Sequence, residues 1–312
     1  MMEECLLNKI YLQGNQPSSS SGGKLKEAAT VILVRPGMDD SWEIFLARRH
    51  RQQSFMAGAF VFPGGQLEAS DADPEFSRLI WAPDDFNPQQ ALQDPGLTVE
   101  KARGFFIAAM RETFEEAGIM LAGDAGGNFI TLEQEEDIAR FSRYRRELND
   151  NQISFAEILR REKILLFPAA LIAYSHWITP ESSAKRFDTL FFLARLPGGQ
   201  KPIIDDTELT ETLWVSPQDA LRRQSLGEIV LMPPTLKTII ELSGYTSIDE
   251  LFAAAKRCPI HPILPQEIAN GVRLPHDPEY DVERYKRPPN PDEPCRIILE
   301  DGLWKAVSYN KK

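Results

Sequence analysis

Residues 98–119 read TVEKARGFFIAAMRETFEEAGI, and the fold turns on how this stretch is understood. Thr98 is a suitable N-cap and Glu100 suits the first turn of a helix. Gly118 is a suitable stop. Gly104 inside the stretch weakens the helix. Glu112, Glu115 and Glu116 stand at i, i+3 and i+4 and so share one face of it. Like charges this close repel, and each raises the pKa of the others. Arg111, four residues before Glu115, can pair with it. A divalent cation with a preference for oxygen ligands, Mg²⁺ or Mn²⁺, would resolve the conflict. The alternative is a solvated acidic face, which is common.

Upstream, AFVFPGG (59–65) reads as a short strand running into a glycine turn. Before it, EAATVILVRP (27–36) and WEIFLARR (42–49) read as paired strands. Downstream, 135–151 and 153–164 have helical character, and PAALIAYSHWITP and RFDTLFFLARLP read as strands. LTETLWVSPQDALRRQ gives a strand and then a helix with Ser216 as cap and Pro217 at its first position. TLKTIIELSGYTSIDELFAAAKR reads as helical, and RIILEDGLWKAV as a hairpin turning at Asp301-Gly302.

The glycine turn and the acidic helix together resemble the box of the Nudix hydrolases, G-x5-E-x7-R-E-U-x-E-E-x-G-U with U apolar. RETFEEAGI (111–119) matches the second half, with Thr113 replacing an apolar residue. Gly65 followed by Asp71 matches the first half, with aspartate replacing glutamate. Residues 72–110 separate the halves, 39 positions where the pattern has seven. Loops tolerate such insertions because closure entropy grows slowly with length. The interruption raises the expectation that Asp71 is displaced from the place of the first acid.

The stretch FLARRHRQQSFMAGAFVFPGG (45–65) partly resembles the signature of the coenzyme A diphosphatases of that family. Arg48, Gly58 and Phe62-Pro63-Gly64-Gly65 fall at matching spacings, whereas Arg49 and His50 replace Ser-Ala and Ser54 replaces an arginine. Together with WITPE and RFDTLFFLAR, the pattern is similar to the peroxisomal-type coenzyme A diphosphatases. The S-Q-P-W-P-F-P marker of NADH pyrophosphatases is absent.

The resemblance implies an α/β fold, a Nudix-type α/β/α sandwich with a mixed sheet. It also implies a helical insertion inside the box and a C-terminal extension. We expect a flexible segment 1–25, a Nudix domain 26–265 with an insertion at 72–98, and an extension 266–312. The insertion is expected to form a small subdomain beside the site.

The implied activity is metal-dependent cleavage of the diphosphate of coenzyme A or acyl-coenzyme A. The products would be 3′,5′-ADP and 4′-phosphopantetheine or its acyl form. The implied metal ligands are Glu112, Glu115, Glu116 and the Gly64 carbonyl, with Mg²⁺ or Mn²⁺. Glu112 is alternatively the base, and Arg111 orients the glutamates. Among Asp205, Asp206, Glu208 and Glu211, Glu208 is the further acid favoured.

Arg48, Arg49 and Arg51 form a basic stretch that is either a phosphate clamp or ordinary hairpin-end charge. Phe55 contacts a base or acyl chain, or packs in the core; Gly65 is placed beside the substrate. His176 either stacks on an adenine or lines the core. Two other functions stay open. One is a diphosphatase for another dinucleotide or nucleotide sugar. The other is a silent Nudix ligand sensor, disfavoured because all three glutamates are intact.

Composition narrows the partners. The 312 residues carry 35 basic and 46 acidic side chains, a net charge of −11, which makes the chain a poor general binder of nucleic acid. A local basic cluster can still hold a phosphorylated small molecule, and the resemblance implies a small-molecule nucleotide. Cys5, Cys258 and Cys295 have no metal-ligand or disulfide spacing, which suggests a reduced, cytoplasmic setting. The N-terminus does not read as a signal peptide, nor SYNKK as a peroxisomal address. ILLFPAALIAY (164–174) is too short to span a membrane. Oligomeric state is not legible.

Overall fold

Alternation along one strand explains the layering. The computed structural model describes residues 23–38, 41–49, 58–203 and 209–309. In β1 (Leu25–Pro36), Ala29, Val31 and Leu33 point to one core, and Ile32 and Val34 to another. A strand with both faces apolar must be covered on both sides.

The main sheet is mixed. It joins β2 (Trp42–Arg49), β3 (Phe60–Val61), β7 (Ile172–Ile178), β8 (Arg186–Arg195) and β10 (Pro262–Ile263) in the order β10-β7-β8-β1-β2-β3. β4 (Gly64–Gln66) also pairs with β1, and β9 (Leu209–Val215) with β2. β1 runs parallel to β8 and antiparallel to β2 and β4. A small ribbon, β5 (Ala122–Gly123) with β6 (Leu165–Leu166), stands apart from it.

The first core lies between this sheet and the long helix. With α1 as the short turn Pro88–Ala91, that helix is α2 (Val99–Ala117), where Phe106 and Met110 are fully buried. Each such side chain contributes roughly 1.5–3 kcal/mol of burial. Helices α3 (Glu135–Asn149) and α4 (Phe155–Glu162) complete this layer. The opposite face is covered by α5 (Pro217–Ser225), α6 (Pro233–Leu242) and α7 (Ile248–Ala255). The arrangement is the α/β/α sandwich expected.

Asp71 lies in a 3-10 turn at 69–72, and the segment between it and α2 forms the short helices expected of it, a 3-10 turn at 74–78 and then α1. Its Phe76 and Leu92 join the first core, and Phe86 meets Phe106 edge-on at 5.5 Å. Gly104 is explained by the same packing. A Cβ there would lie 3.3 Å from Leu67 Cδ1 and 3.4 Å from the Ala72 Cβ, so glycine lets the turn around Asp71 press on the helix.

The helix expected through 235–257 is instead two, α6 and α7. The chain breaks at 243–247, where Ser247 accepts from the Glu250 N–H at 3.2 Å and starts α7. Towards the C-terminus, β11 (Gln266–Ile268), β12 (Gly271–Arg273), β13 (Arg296–Glu300) and β14 (Leu303–Val307) form a four-stranded antiparallel sheet. Asp301 and Gly302 turn its hairpin with φ of 51° and 82°. Its Ile297 and Trp304 enter the second core. Among the described residues, no helix is long and apolar enough to cross a membrane.

Candidate active site

The site is built where β4 meets the C-terminal half of α2. Thr98 caps the helix, accepting from the Lys101 N–H at 3.2 Å, and Gly118 ends it in the left-handed region. Thr113, the unexpected polar residue, is fully buried and donates its hydroxyl to the Ala109 carbonyl at 2.7 Å. That bond satisfies the group where an apolar side chain was expected.

Arg111 is the hub. Its guanidinium donates twice to the Asp71 carboxylate, both at 2.9 Å. It donates at 2.9 Å each to Glu112, Glu115 and the Gln66 carbonyl. Asp71 is 1% exposed and also accepts from the Glu68 N–H at 2.8 Å. The expected displacement of Asp71 is therefore corrected. The insertion leaves the chain after Asp71 and returns at α2, so both halves of the box meet in space.

The glycine turn supplies the rest. The Gly64 N–H donates to Glu116 Oε2 at 2.9 Å. Gly65 lies so close to α2 that a Cβ would overlap the Glu112 carboxylate. Burial raises Glu112 to about 8 and Glu115 to about 7, with Arg111 opposing the rise in both. A bound cation would favour the ionised forms and oppose that rise.

Three hard oxygen donors on one helix face fit Mg²⁺ or Mn²⁺ by chemistry. As they lie, Arg111 draws Glu112 and Glu115, the Gly64 N–H draws Glu116, and no three acids among the described residues enclose a common point.

The basic stretch is placed differently. Arg48 donates to the Gly58 carbonyl at 3.3 Å and pairs with Glu211 at 3.2 Å. Glu211, one of the acids considered for the site, lies on β9 opposite Arg48, within the strand expected there. A register irregularity separates Arg48 from Arg49 in that pairing. His176 meets Asp188 across β7 and β8, while Trp177 enters the second core. Arg51, Phe55 and Glu208 lie outside the described residues, as do Asp205 and Asp206.

Sequence reasoning missed Arg145, which is 4% exposed and donates to the Glu115 and Glu116 carbonyls. The signal was periodic: Phe141, Tyr144, Arg145 and Leu148 share the buried face of α3.

An acidic helix fastened through one buried arginine to a glycine turn, on an α/β/α sandwich, defines a Nudix hydrolase. The chain belongs to the Nudix family and matches the model described as NUDT19 Nudix domain over residues 25–242. It is 30% identical over 272 residues to the acyl-coenzyme A diphosphatase NUDT19 of Xenopus laevis, covering 72% of this chain and 71% of that one. The Homo sapiens protein of the same name is 29% identical, over 74% of this chain and 68% of its own. Among solved structures, a Nudix hydrolase from Alicyclobacillus acidocaldarius aligns with a TM-score of 0.59 at 23% identity. It covers 77% of this chain and 99% of its own, and it supports the fold. The protein is a Nudix diphosphatase.

Proposed function

We propose that this enzyme cleaves the diphosphate of coenzyme A or acyl-coenzyme A, yielding 3′,5′-ADP and 4′-phosphopantetheine or its acyl form. The observation that carries this reading is the similarity to relatives named acyl-coenzyme A diphosphatase, about 30% identical over nearly three quarters of the chain. It is joined to a box whose three helix glutamates are intact.

In this reading Glu112, Glu115 and Glu116 hold Mg²⁺ or Mn²⁺, with the Gly64 carbonyl as a further donor. The bound metal would neutralise the diphosphate and lower the pKa of the attacking water. Arg111 holds two of the glutamate carboxylates, which would turn toward the cation on binding it. The Gly64 N–H fixes the third, and Gly65 keeps the Glu112 carboxylate uncrowded. Glu112, whose pKa burial raises to about 8 against the pull of Arg111, is alternatively proposed as the base. Glu208 remains the proposed further acid, and Arg51 and Phe55 the proposed substrate contacts.

Arg48 is proposed to bind the 3′-phosphate of coenzyme A. Its pair with Glu211, 29% and 54% exposed, is a surface pair worth about 0–1 kcal/mol, so a dianionic phosphate competes for it readily. A reduced, cytoplasmic setting belongs to the same proposal.

A screen of coenzyme A, acyl-coenzyme A, dephospho-coenzyme A, NADH, ADP-ribose and diadenosine polyphosphates with Mg²⁺ or Mn²⁺ tests the reading. Coenzyme A substrates should exceed the dephospho form by at least about tenfold in kcat/KM, the worth of one arginine–phosphate contact. Arg48→Ala should erode that preference through KM. Equal rates on both forms would remove the clamp. Activity confined to another substrate would move the enzyme elsewhere in its family.

A further inference from the structure

We infer that Arg145 is a positioning residue, which locks the last turn of α2 so that Glu115 and Glu116 keep their place in the site. This inference rests on the reading of those glutamates as metal ligands.

The last carbonyls of any helix lack intrahelical donors, and buried they need partners. Here the partner is one planar fork. Arg145 Nε donates to the Glu115 carbonyl at 2.5 Å and Nη2 to the Glu116 carbonyl at 2.8 Å. Nη1 donates to the Ile203 carbonyl. The Ile203 N–H in turn donates to the Ala117 carbonyl at 2.9 Å. The end of α2 and the loop at Ile203 are therefore stitched together from both sides.

The charge has a purpose as well as the geometry. The C-terminal end of a helix is its negative pole. Two of the box carboxylates sit at that same end, so the helix dipole and the side chains work against each other. A buried guanidinium there offsets both. Glu115 is thus held at each end, its carboxylate by Arg111 at 2.9 Å and its carbonyl by Arg145. Gln200 adds a neutral strap one step further on, pairing its amide with the Met120 N–H and carbonyl at 2.9 Å each.

Lysine separates the two contributions of Arg145. It keeps the positive charge as a compact point and loses the fork that reaches three carbonyls in different directions. If geometry positions the glutamates, Arg145→Lys should behave like Arg145→Gln.

The test is Mn²⁺ alone, titrated into the full chain and followed by electron paramagnetic resonance of the free ion, with circular dichroism as the check of folding. No nucleotide is involved, so the outcome does not depend on which substrate the enzyme takes. Both variants should bind Mn²⁺ about 10–100-fold more weakly than the wild type, the usual loss when a group supporting metal ligands is removed. Wild-type affinity in a folded Arg145→Lys overturns the inference while leaving the metal site intact. A wild type that binds no Mn²⁺ overturns both.

Should neither variant fold, hydrogen exchange on the wild type decides. Mn²⁺ should slow exchange of the Ile203 amide together with those of the last turn of α2. An Ile203 amide indifferent to Mn²⁺ refutes the coupling.

Discussion

Replacing Asp71 by asparagine should cost about 3 kcal/mol of folding stability, and the estimate follows from the bonds around Arg111. Asp71 and Arg111 have side-chain exposures of 1% and 6%, so solvent screens their pairing little. Asparagine keeps the shape but offers one acceptor where the carboxylate offers two. One charge-assisted bond is lost, worth roughly 1.5–3 kcal/mol, and a buried amide donor is turned toward guanidinium donors, at roughly 1–3 kcal/mol. The sum spans the roughly 3–5 kcal/mol found when one member of a buried ion pair is removed. The low end applies because Glu112 and Glu115, both held up by burial, can ionise to balance Arg111.

Asp71→Glu supplies the control. It keeps the charge and adds one methylene to a packed position, which costs about 1–2 kcal/mol. Urea unfolding at pH 7, followed by tryptophan fluorescence, measures both variants. An Asp71→Asn protein within about 1 kcal/mol of the wild type would refute the hub. So would an Asp71→Glu protein no more stable than Asp71→Asn.

Two further outcomes can be read from the same site. Gly65→Ala places a methyl group against the carboxylate end of the Glu112 side chain. Stability should change by less than about 1 kcal/mol while kcat falls about 10–100-fold; an unchanged kcat would show that the Glu112 carboxylate is not used where it lies. The raised acids also set a pH dependence. Because folding raises Glu112 from 4.5 to about 8 and Glu115 from 4.5 to about 7, the folded chain keeps protons that the unfolded chain has released. These two groups therefore make the metal-free protein lose stability as pH rises from about 4.5 to about 8. Mn²⁺ should displace about two protons at pH 6 and about half of one at pH 8, measured by calorimetry in buffers of different ionisation enthalpy. Proton release independent of pH would contradict the burial of these acids.

The sheet and the acidic helix were legible because their signals are local. β1 and β2 carry apolar residues on both faces, and α2 announces its start at Thr98 and its stop at Gly118. The Asp301-Gly302 hairpin was legible for the same reason. Three things were not. The return of Asp71 to Arg111 depends on how residues 72–98 pack, which a gap of that length hides. The break between α6 and α7 lies in a polar-glycine stretch, SGYTS, that helical periodicity on either side had bridged. Arg145 stands in a run of arginines with Arg140, Arg143 and Arg146, and its neighbours in space are backbone carbonyls, which leave no mark in the sequence.

Whether the glutamates of α2 carry a metal-dependent cleavage is answered most directly by comparing the wild type with Glu116→Gln. Each protein is given acyl-coenzyme A with Mg²⁺ or with excess chelator, and 3′,5′-ADP is measured after confirming equal folding by circular dichroism. The wild type should release 3′,5′-ADP only when the metal is present, and Glu116→Gln should release it at least about 100-fold more slowly. A folded Glu116→Gln that matches the wild-type rate, or a wild type as fast in chelator as in Mg²⁺, would contradict the site described.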